Sequence, residues 1–325
     1  MRPLILGLIA SICYPADWTL YVCAATTKNY VVGAKLLPSG LFARNGPSAW
    51  TLQGHPNPFT FALDYDPRNL SFVYLAAGNG LIRVPRGGST WKILTAEDVT
   101  EIRDVSVDSE GTIYFTHSAG IRVSKDKGDS WRELSSSLPR HYCEAVRADR
   151  KAIGEIIVGC ENGLWRTSDN GAKWTRVGAS GFQIMRLEQS PHDACFWMAA
   201  TQQGGLFVSE DCGTTFENRG AIGVGRNLYD IAFDPTTPKR VAVAGWGIGI
   251  AVSEDLGKTW TMRDRSLPSS DIWSIAFDPS KSGRLFASVH EEALYVSDDV
   301  GLTWKRDGLE GSVVNRMKFL PEQAH

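Results

Sequence analysis

The sequence lacks three features that would assign it to a common functional class. It has no apolar run as long as the roughly 20 residues that a membrane-spanning helix needs. It has no excess of basic residues, since Lys and Arg number 34, Asp and Glu number 36, and the formal net charge is −2. It has no HxH or HExxH spacing of the kind that holds a metal ion. We therefore expect no membrane span, no nucleic-acid partner, no metal and no cofactor.

What the sequence does contain is a repeat. Its 325 residues include 32 Gly and 11 Trp, and both recur with a regular period. Five segments share the pattern Ser/Thr-x-Asp-x-Gly-x-x-aromatic, with Asp126, Asp169, Asp211, Asp255 and Asp299 as their aspartates. Counting two degenerate earlier copies, the terminal aromatic residues are Trp50, Trp91, Trp131, Trp174, Phe216, Trp260 and Trp304. These aromatics recur at intervals of about 40 to 44 residues, the length of one four-stranded propeller blade.

The five complete segments resemble the Asp-box, or BNR, repeat of β-propellers. Each repeat also contains a predicted strand that in most repeats ends near Asp-Pro. There are seven of these strands, and we interpret them as the inner strands of the blades. They run over 59–67, 101–108, 142–149, 182–191, 227–235, 271–279 and 313–321. The sequence therefore predicts an all-β, seven-bladed propeller of four-stranded blades. Because the last inner strand has no blade after it, we expect the C-terminus to complete the first blade, beside the strand at 18–25.

When four strands are assigned to every blade, the first 16 residues belong to none of them. A basic start followed by a short apolar stretch is typical of a secretory signal peptide, so we expect residues 1–16 to be a leader and 17–325 a single propeller. The protein would then be secreted or periplasmic. The alternative is that this segment forms an eighth inner strand, in which case the protein would be cytoplasmic.

Cysteine positions bear on the same question. Cys143 and Cys160 lie at one end of one predicted blade, and Cys195 and Cys212 lie at the opposite end of the next. Two disulfides within blades would suit an exported protein, whereas four small buried thiols would not require export. Cys23 is interpreted as a small apolar residue packed in its strand.

The repeated aspartates are predicted to be structural. They fall in turns between third and fourth strands, where a short carboxylate accepts N–H groups of the turn, Gly tolerates positive φ, and the aromatic ring wedges between blades. Spread around the rim, they cannot converge on one substrate.

The opposite face, around the mouth of the central channel, is predicted to carry the function. Polar and aromatic residues concentrate at the starts of inner strands and the ends of second strands. Acidic candidates for catalysis are Glu101, Asp104, Glu144, Glu161, Asp230, Asp271 and Glu291. Candidates for ligand binding are His117, Gln183, Gln202, Asn227, Trp246, Trp273, His290 and Arg316. A long loop over 27–39, with Tyr30 and Lys35, would overhang the same face. A solvated polar channel is the plain alternative.

Proteins with Asp-box propellers share a fold without sharing a function. Sialidases have six blades and an Arg-Ile-Pro motif, which is absent here, and xyloglucanases pair two seven-bladed domains around a cleft. The resemblance is greatest to the single seven-bladed photosystem II assembly factor, and it implies a binding or scaffolding role; the sortilin ectodomain belongs to the same group. We expect a monomer that binds a polar small molecule, a carbohydrate or a protein partner at the mouth. The alternative is a glycoside hydrolase or lyase that uses the acidic residues there.

Overall fold

Short runs of alternating Val, Ile, Ala and aromatic residues, bounded by Gly, Asp and Pro, form strands because side chains alternate between the two faces of a sheet. The computed structural model describes residues 17–28, 38–139 and 142–322. The predicted leader, 1–16, and residues 29–37 of the predicted long loop lie outside the described residues. The described residues form 28 strands and no helix.

The strands follow one another in sets that match the sequence repeat. In chain order they are β1 (Trp18–Thr26), β2 (Gly40–Gly46) and β3 (Ala49–Gln53); β4 (Thr60–Asp66), β5 (Asn69–Ala77), β6 (Gly80–Pro85) and β7 (Lys92–Ile93); β8 (Asp104–Val107), β9 (Ile113–His117), β10 (Gly120–Ser124) and β11 (Arg132–Glu133); β12 (Cys143–Ala148), β13 (Ile156–Cys160), β14 (Gly163–Thr167) and β15 (Thr175–Gly178); β16 (Ile184–Gln189), β17 (Trp197–Gly204), β18 (Leu206–Ser209) and β19 (Glu217–Asn218); β20 (Val224–Phe233), β21 (Val241–Gly245), β22 (Gly249–Ser253) and β23 (Thr261–Met262); β24 (Ile272–Phe277), β25 (Leu285–Val289), β26 (Ala293–Ser297) and β27 (Lys305–Arg306); and β28 (Ser312–Pro321).

Each set of four is an antiparallel meander, so the predicted seven-bladed propeller is confirmed. Blades two to seven begin with β4, β8, β12, β16, β20 and β24 as their inner strands. Blades five and six are additionally joined, because β17 and β20 extend past the other strands and pair at Gln202–Asn227 and Gly204–Val224. That link lies on the predicted mouth face.

The first blade closes the ring. Its inner strand is β28, which pairs antiparallel with β1 from Trp18–Pro321 to Thr26–Ser312. The predicted completion of this blade by the C-terminus is therefore confirmed. Closure pairs β1 on both sides, with β28 and with β2, and it ties the two ends of the described chain together.

The apolar core is distributed between blades. One cluster joins Tyr74 and Leu81 of blade two to Val105 and Phe115 of blade three, and equivalent clusters recur around the ring. Trp197 is the largest fully buried side chain. Burial of each such side chain contributes roughly 1.5–3 kcal/mol, so the stability of the ring depends on every interface between neighbouring blades.

Of the two alternatives for the four cysteines, the structure has the disulfides. Cys143 pairs with Cys160 at the mouth end of blade four, and Cys195 pairs with Cys212 at the Asp-box end of blade five. Cys23 is a buried free cysteine in β1, as predicted, and burial raises the pKa of its thiol. Disulfides persist in oxidising compartments, so the pairing favours an extracytoplasmic protein.

The Asp-box aspartates are turn residues, as predicted. In the sixth blade, Asp255 accepts hydrogen bonds from the Thr259 N–H at 2.9 Å, the Thr259 hydroxyl at 2.7 Å and the Ser253 hydroxyl at 2.7 Å. Gly257 has a φ of +82°, which Gly adopts without steric cost. In the seventh blade, the aromatic residue of the box reaches the preceding blade: the Trp304 Nε1–H donates to the carbonyl of Arg263 at 2.7 Å. The box thus fixes a turn and clamps two blades.

These turns predict a loss of stability in acid. Hydrogen bonds from Thr259 lower the pKa of Asp255 to about 2, and those from Thr303 lower the pKa of Asp299 to about 2, against an ordinary value of 3.8. A carboxylate with a depressed folded-state pKa stabilises the fold above its ordinary pKa and loses that contribution as the pH falls through its folded pKa. We expect the melting temperature by circular dichroism to fall between about pH 4 and pH 2. The melting temperature of the Asp255→Asn/Asp299→Asn variant should fall less than that of the wild type between these two pH values. An equal fall in both proteins would show that these two carboxylates do not cause the loss of stability in acid.

Candidate functional site

A repeated β-bulge shapes the mouth of the channel. In six blades the register between inner and second strands slips by one residue, and the extra residue projects at the mouth end. The residues at this position are Phe61, Glu144, Met185, Tyr229, Trp273 and Asn315, and Arg103 holds the equivalent place in blade three. All seven are half-buried. Because a bulge re-aims a side chain out of the regular alternation, it turns one residue of each blade toward the mouth.

One half of this ring is charged and encloses a cavity. Arg103 donates two hydrogen bonds to Glu144, from Nε at 2.9 Å and from Nη2 at 3.2 Å, and its guanidinium lies 4.5 Å from the ring centroid of Phe61. The Tyr142 hydroxyl donates to the same carboxylate at 2.6 Å. Burial and this hydrogen bond raise the pKa of Tyr142 to about 12. Phe61, Arg103 and Tyr142 line an adjoining cavity with a volume of about 700 Å³. Its other lining residues are Pro56, Asn57, Pro58, Phe59, Gly78, Asn79, Trp91 and Glu101.

The other half of the ring is aromatic. Trp273 lies 4.6 Å from Tyr229, 6.1 Å from Trp246 and 5.4 Å from His290, measured between ring centroids. The Trp273 Nε1–H donates to Asn315 at 2.9 Å. These rings pack against one another, so they form a continuous platform whose outermost member, Trp246, is 41% exposed.

Large apolar side chains are exposed around the same face. Phe59 is 64% exposed and lies just before the inner strand of blade two, and Phe182 is exposed just before the inner strand of blade five. Val224, in the extension that joins blades five and six, is also exposed. Together with Trp246 they surround the mouth. Exposed apolar side chains on one face make that face a candidate for contact with a partner.

Most predicted ligand-binding residues do lie at this end of the propeller. Gln183 and Asn227 are half-buried at the starts of inner strands, and Gln202 is exposed where β17 pairs with β20. His290 packs on Trp246 at 4.9 Å. His117 differs, because it is buried against Phe115, and burial lowers its pKa.

The predicted acidic residues are divided between two depths. Glu101 and Glu291 lie at the mouth with φ near +54°, and Glu161 is exposed at the end of the second strand of blade four. Asp271 accepts the Gly247 N–H at 2.9 Å and thereby holds the loop that carries Trp246. Glu144 is the carboxylate held by Arg103 and Tyr142, as described above.

The placement of Asp104, Asp230 and Arg316 at the mouth was wrong. All three lie deeper in the channel, and Asp104 and Asp230 are only 1% and 2% exposed. Asp104 accepts the Val146 N–H of the next blade at 3.1 Å, and Asp230 accepts that of Ile275 at 2.9 Å. An inner strand has a free edge toward the channel, and its N–H groups need acceptors. These carboxylates supply them, so their position is explained by packing between blades.

A network of ion pairs occupies this deeper layer. Arg147 bonds Asp104 at 2.6 Å and Glu188 at 2.8 Å, and Arg186 pairs with Glu188 at 2.7 Å and with Asp230 at 2.9 Å. Burial by itself would raise the pKa of the Glu188 carboxyl. The positive charges of Arg147 and Arg186 have the larger effect, so the pKa of this carboxyl is lowered. Burial raises the pKa of Asp230. Arg316 joins the network only loosely, at 3.7 Å from Asp104.

Sequence reasoning missed two aromatic residues of the ring, Phe61 and Tyr229, and it missed Tyr142, which donates to Glu144. A signal was present, since the bulged residue stands five positions before the Asp that ends the inner strand in blades two, four, six and seven. Among the residues the structure describes, no group of three or more His, Cys, Asp or Glu side chains is arranged to hold a metal ion. No helix within those residues is long and apolar enough to cross a membrane.

Comparison with known proteins places this geometry on a familiar scaffold. No family model matches the chain. A curated xyloglucanase from Hypocrea jecorina is 28% identical over 170 residues, which is 50% of this chain but only 19% of that protein. The chain therefore spans about a fifth of the curated relative.

Solved structures agree on the fold. The GH74 xyloglucanase from Xanthomonas campestris superposes with a TM-score of 0.66 at 17% identity, over 79% of this chain and 46% of that one. YCF48 from Cyanidioschyzon merolae gives 0.61 at 19%, over 78% of this chain and 86% of that one. A structure of YCF48 bound to D1 peptide gives 0.61 at 21%, over 79% and 84%. The chain thus shares the Asp-box β-propeller fold with GH74 xyloglucanases and with YCF48.

Proposed function

We propose that this protein is a secreted binding propeller whose channel mouth holds an extended peptide segment of a protein partner. The observation that carries the proposal is the cavity of about 700 Å³ beside an exposed aromatic rim. Its wall combines Pro and aromatic side chains with Arg103, which Glu144 holds in place, and this mixture suits a chain that alternates apolar side chains with polar backbone groups. The YCF48 structure bound to D1 peptide supports it, because the same fold binds a peptide there. The two disulfides support export.

Carbohydrate hydrolysis is the second candidate, favoured by the similarity to a xyloglucanase and by the platform around Trp246. Glycoside hydrolysis needs a carboxylic acid that can donate a proton and a second carboxylate that is free to react. Glu144 is instead held by Arg103 and Tyr142, and Asp271 holds a loop. Asp104 and Asp230 cap the inner strands of neighbouring blades. These engagements favour binding over catalysis.

The test is selection of peptides on the purified chain. A random 12-residue peptide display library is panned on the wild-type protein, and the enriched peptides are titrated by fluorescence anisotropy. We expect Phe59→Ala and Trp246→Ala each to weaken binding about tenfold or more, because exposed aromatic anchors dominate such interfaces. The matched control is Leu302→Ala, since Leu302 is 59% exposed but lies in an Asp-box turn on the opposite face.

Two results would count against peptide binding at the mouth. One is failure to enrich any peptide; the other is binding that Phe59→Ala and Leu302→Ala weaken equally. A parallel titration with xyloglucan oligosaccharides separates the two candidates. Saturable sugar binding that Trp246→Ala abolishes, followed by release of reducing ends, would favour the enzyme instead.

A further inference from the structure

The opposite end of the channel contains a second cavity, of about 620 Å³, which the mouth does not use. Its outer part is lined by three phenylalanines at or near the ends of inner strands, Phe233, Phe277 and Phe319. Ile231, Ile275 and Met317 continue this apolar lining further in. Its inner wall includes Arg147, Arg186, Glu188 and Arg316. Because Phe319 follows Arg316 by three residues of strand, the apolar collar lies about 10 Å from the charged layer.

The cations of this layer are not equally well paired. Arg147, Arg186, Arg316 and Lys318 line the cavity, and Arg150, which also lines it, is exposed to solvent. Four carboxylates lie in or directly behind the wall: Asp64, Asp104, Glu188 and Asp230. A buried cation is costly unless a counter-charge lies close to it.

Arg316 is the guanidinium with the weakest partner. Arg147 and Arg186 each pair with two carboxylates at 2.9 Å or less, and Lys318 pairs with Asp64. The carboxylate paired with Arg316, that of Asp104, lies 3.7 Å away, beyond hydrogen-bonding distance. Nε and Nη1 of Arg316 are buried without a hydrogen-bond partner, and the residue is only 9% exposed. Nη1 of Arg186 is in the same state.

We propose that this cavity binds a small organic carboxylate with an apolar body, whose carboxylate pairs with Arg316 and whose body packs inside the Phe233, Phe277 and Phe319 collar. A guanidinium with unpaired N–H groups matches a carboxylate in geometry, and a monoanion supplies the close partner that Arg316 lacks. The volume lies within the range of small-molecule sites. The site is separate from the peptide-binding mouth, because it opens on the Asp-box face.

Isothermal titration calorimetry with phenylacetate, in a buffer low in chloride, tests the proposal. Phenylacetamide is the matched control ligand, because it keeps the apolar body and removes the charge. We expect saturable binding of phenylacetate and a Kd at least tenfold weaker for phenylacetamide. Arg316→Gln should weaken phenylacetate binding at least tenfold, and Trp246→Ala, at the other face, should leave it unchanged.

The comparison of the two ligands on the wild-type protein keeps the test decisive even if Arg316→Gln does not fold. Absence of phenylacetate binding would overturn the proposal. So would equal binding of phenylacetate and phenylacetamide, or unchanged binding by a natively folded Arg316→Gln variant. Acetate that binds as tightly as phenylacetate would show that the apolar collar does not contribute, and it would overturn the assignment of the ligand class.

Discussion

The Asp104→Ala variant is expected to lose about 3–5 kcal/mol of unfolding free energy, because the substitution breaks a buried charge network. Asp104 accepts the Val146 N–H and the Arg147 guanidinium, and it is the carboxylate nearest to Arg316. Its removal leaves a strand N–H without an acceptor and two buried cations short of negative charge. Guanidinium-induced unfolding followed by tryptophan fluorescence measures the loss.

The matched control for Asp104→Ala is Glu101→Ala. Both residues were acidic candidates near the start of one inner strand, but Glu101 is exposed at the mouth while Asp104 is buried. We expect Glu101→Ala to change the free energy of unfolding by no more than about 0.5 kcal/mol. If the two variants are equally stable, then Asp104 does not hold the blades together, and a catalytic role for it becomes the better explanation.

Removal of the Cys143–Cys160 bridge is expected to cost about 3 kcal/mol. The bridge closes a loop with a sequence separation of 17, and a loop of about this length restricts the unfolded chain by roughly that amount. Both sulfurs are buried in blade four, whereas Cys195 is half-buried and Cys212 is exposed. Chemical denaturation of Cys143→Ala/Cys160→Ala against the wild type measures the loss.

The difference in burial supplies the control. Dithiothreitol added to the folded wild-type protein should reduce Cys195–Cys212 first, because thiolate attack needs access to a sulfur. Thiol labelling followed by peptide mapping should then find Cys195 and Cys212 modified while Cys143 and Cys160 remain protected. Labelling of all four at equal rates would show that blade four opens as readily as blade five.

Much of the fold was predictable because the chain repeats itself. Each repeat is one blade, and a blade cannot bury its apolar faces without neighbours, so the number of aromatic residues at the ends of the repeats equals the number of blades. Closure by β28 was predictable from strand order alone. The Asp-box turns were predictable because their hydrogen bonds are local, within five residues of each aspartate.

The site was less predictable, because its residues come from separate blades. The bulge that points Phe61 and Tyr229 at the mouth is a slip between two strands, and alternation of residue types does not reveal it. Glu101 and Asp104 both lie near the start of one inner strand. For the same reason, the sequence did not show that Glu101 would be exposed and Asp104 buried.

The sequence by itself determined the propeller, its seven blades, its closure and which cysteines lie near each other, since each follows from a period or from contacts within one blade. It left open whether those cysteines form disulfides. Only the tertiary structure decided which charges face one another across the channel. Asp104 belongs to blade three and Arg316 to blade one, so their 3.7 Å approach depends on how the ring closes. The radius of that ring is set by packing between all the blades, and no local pattern specifies it.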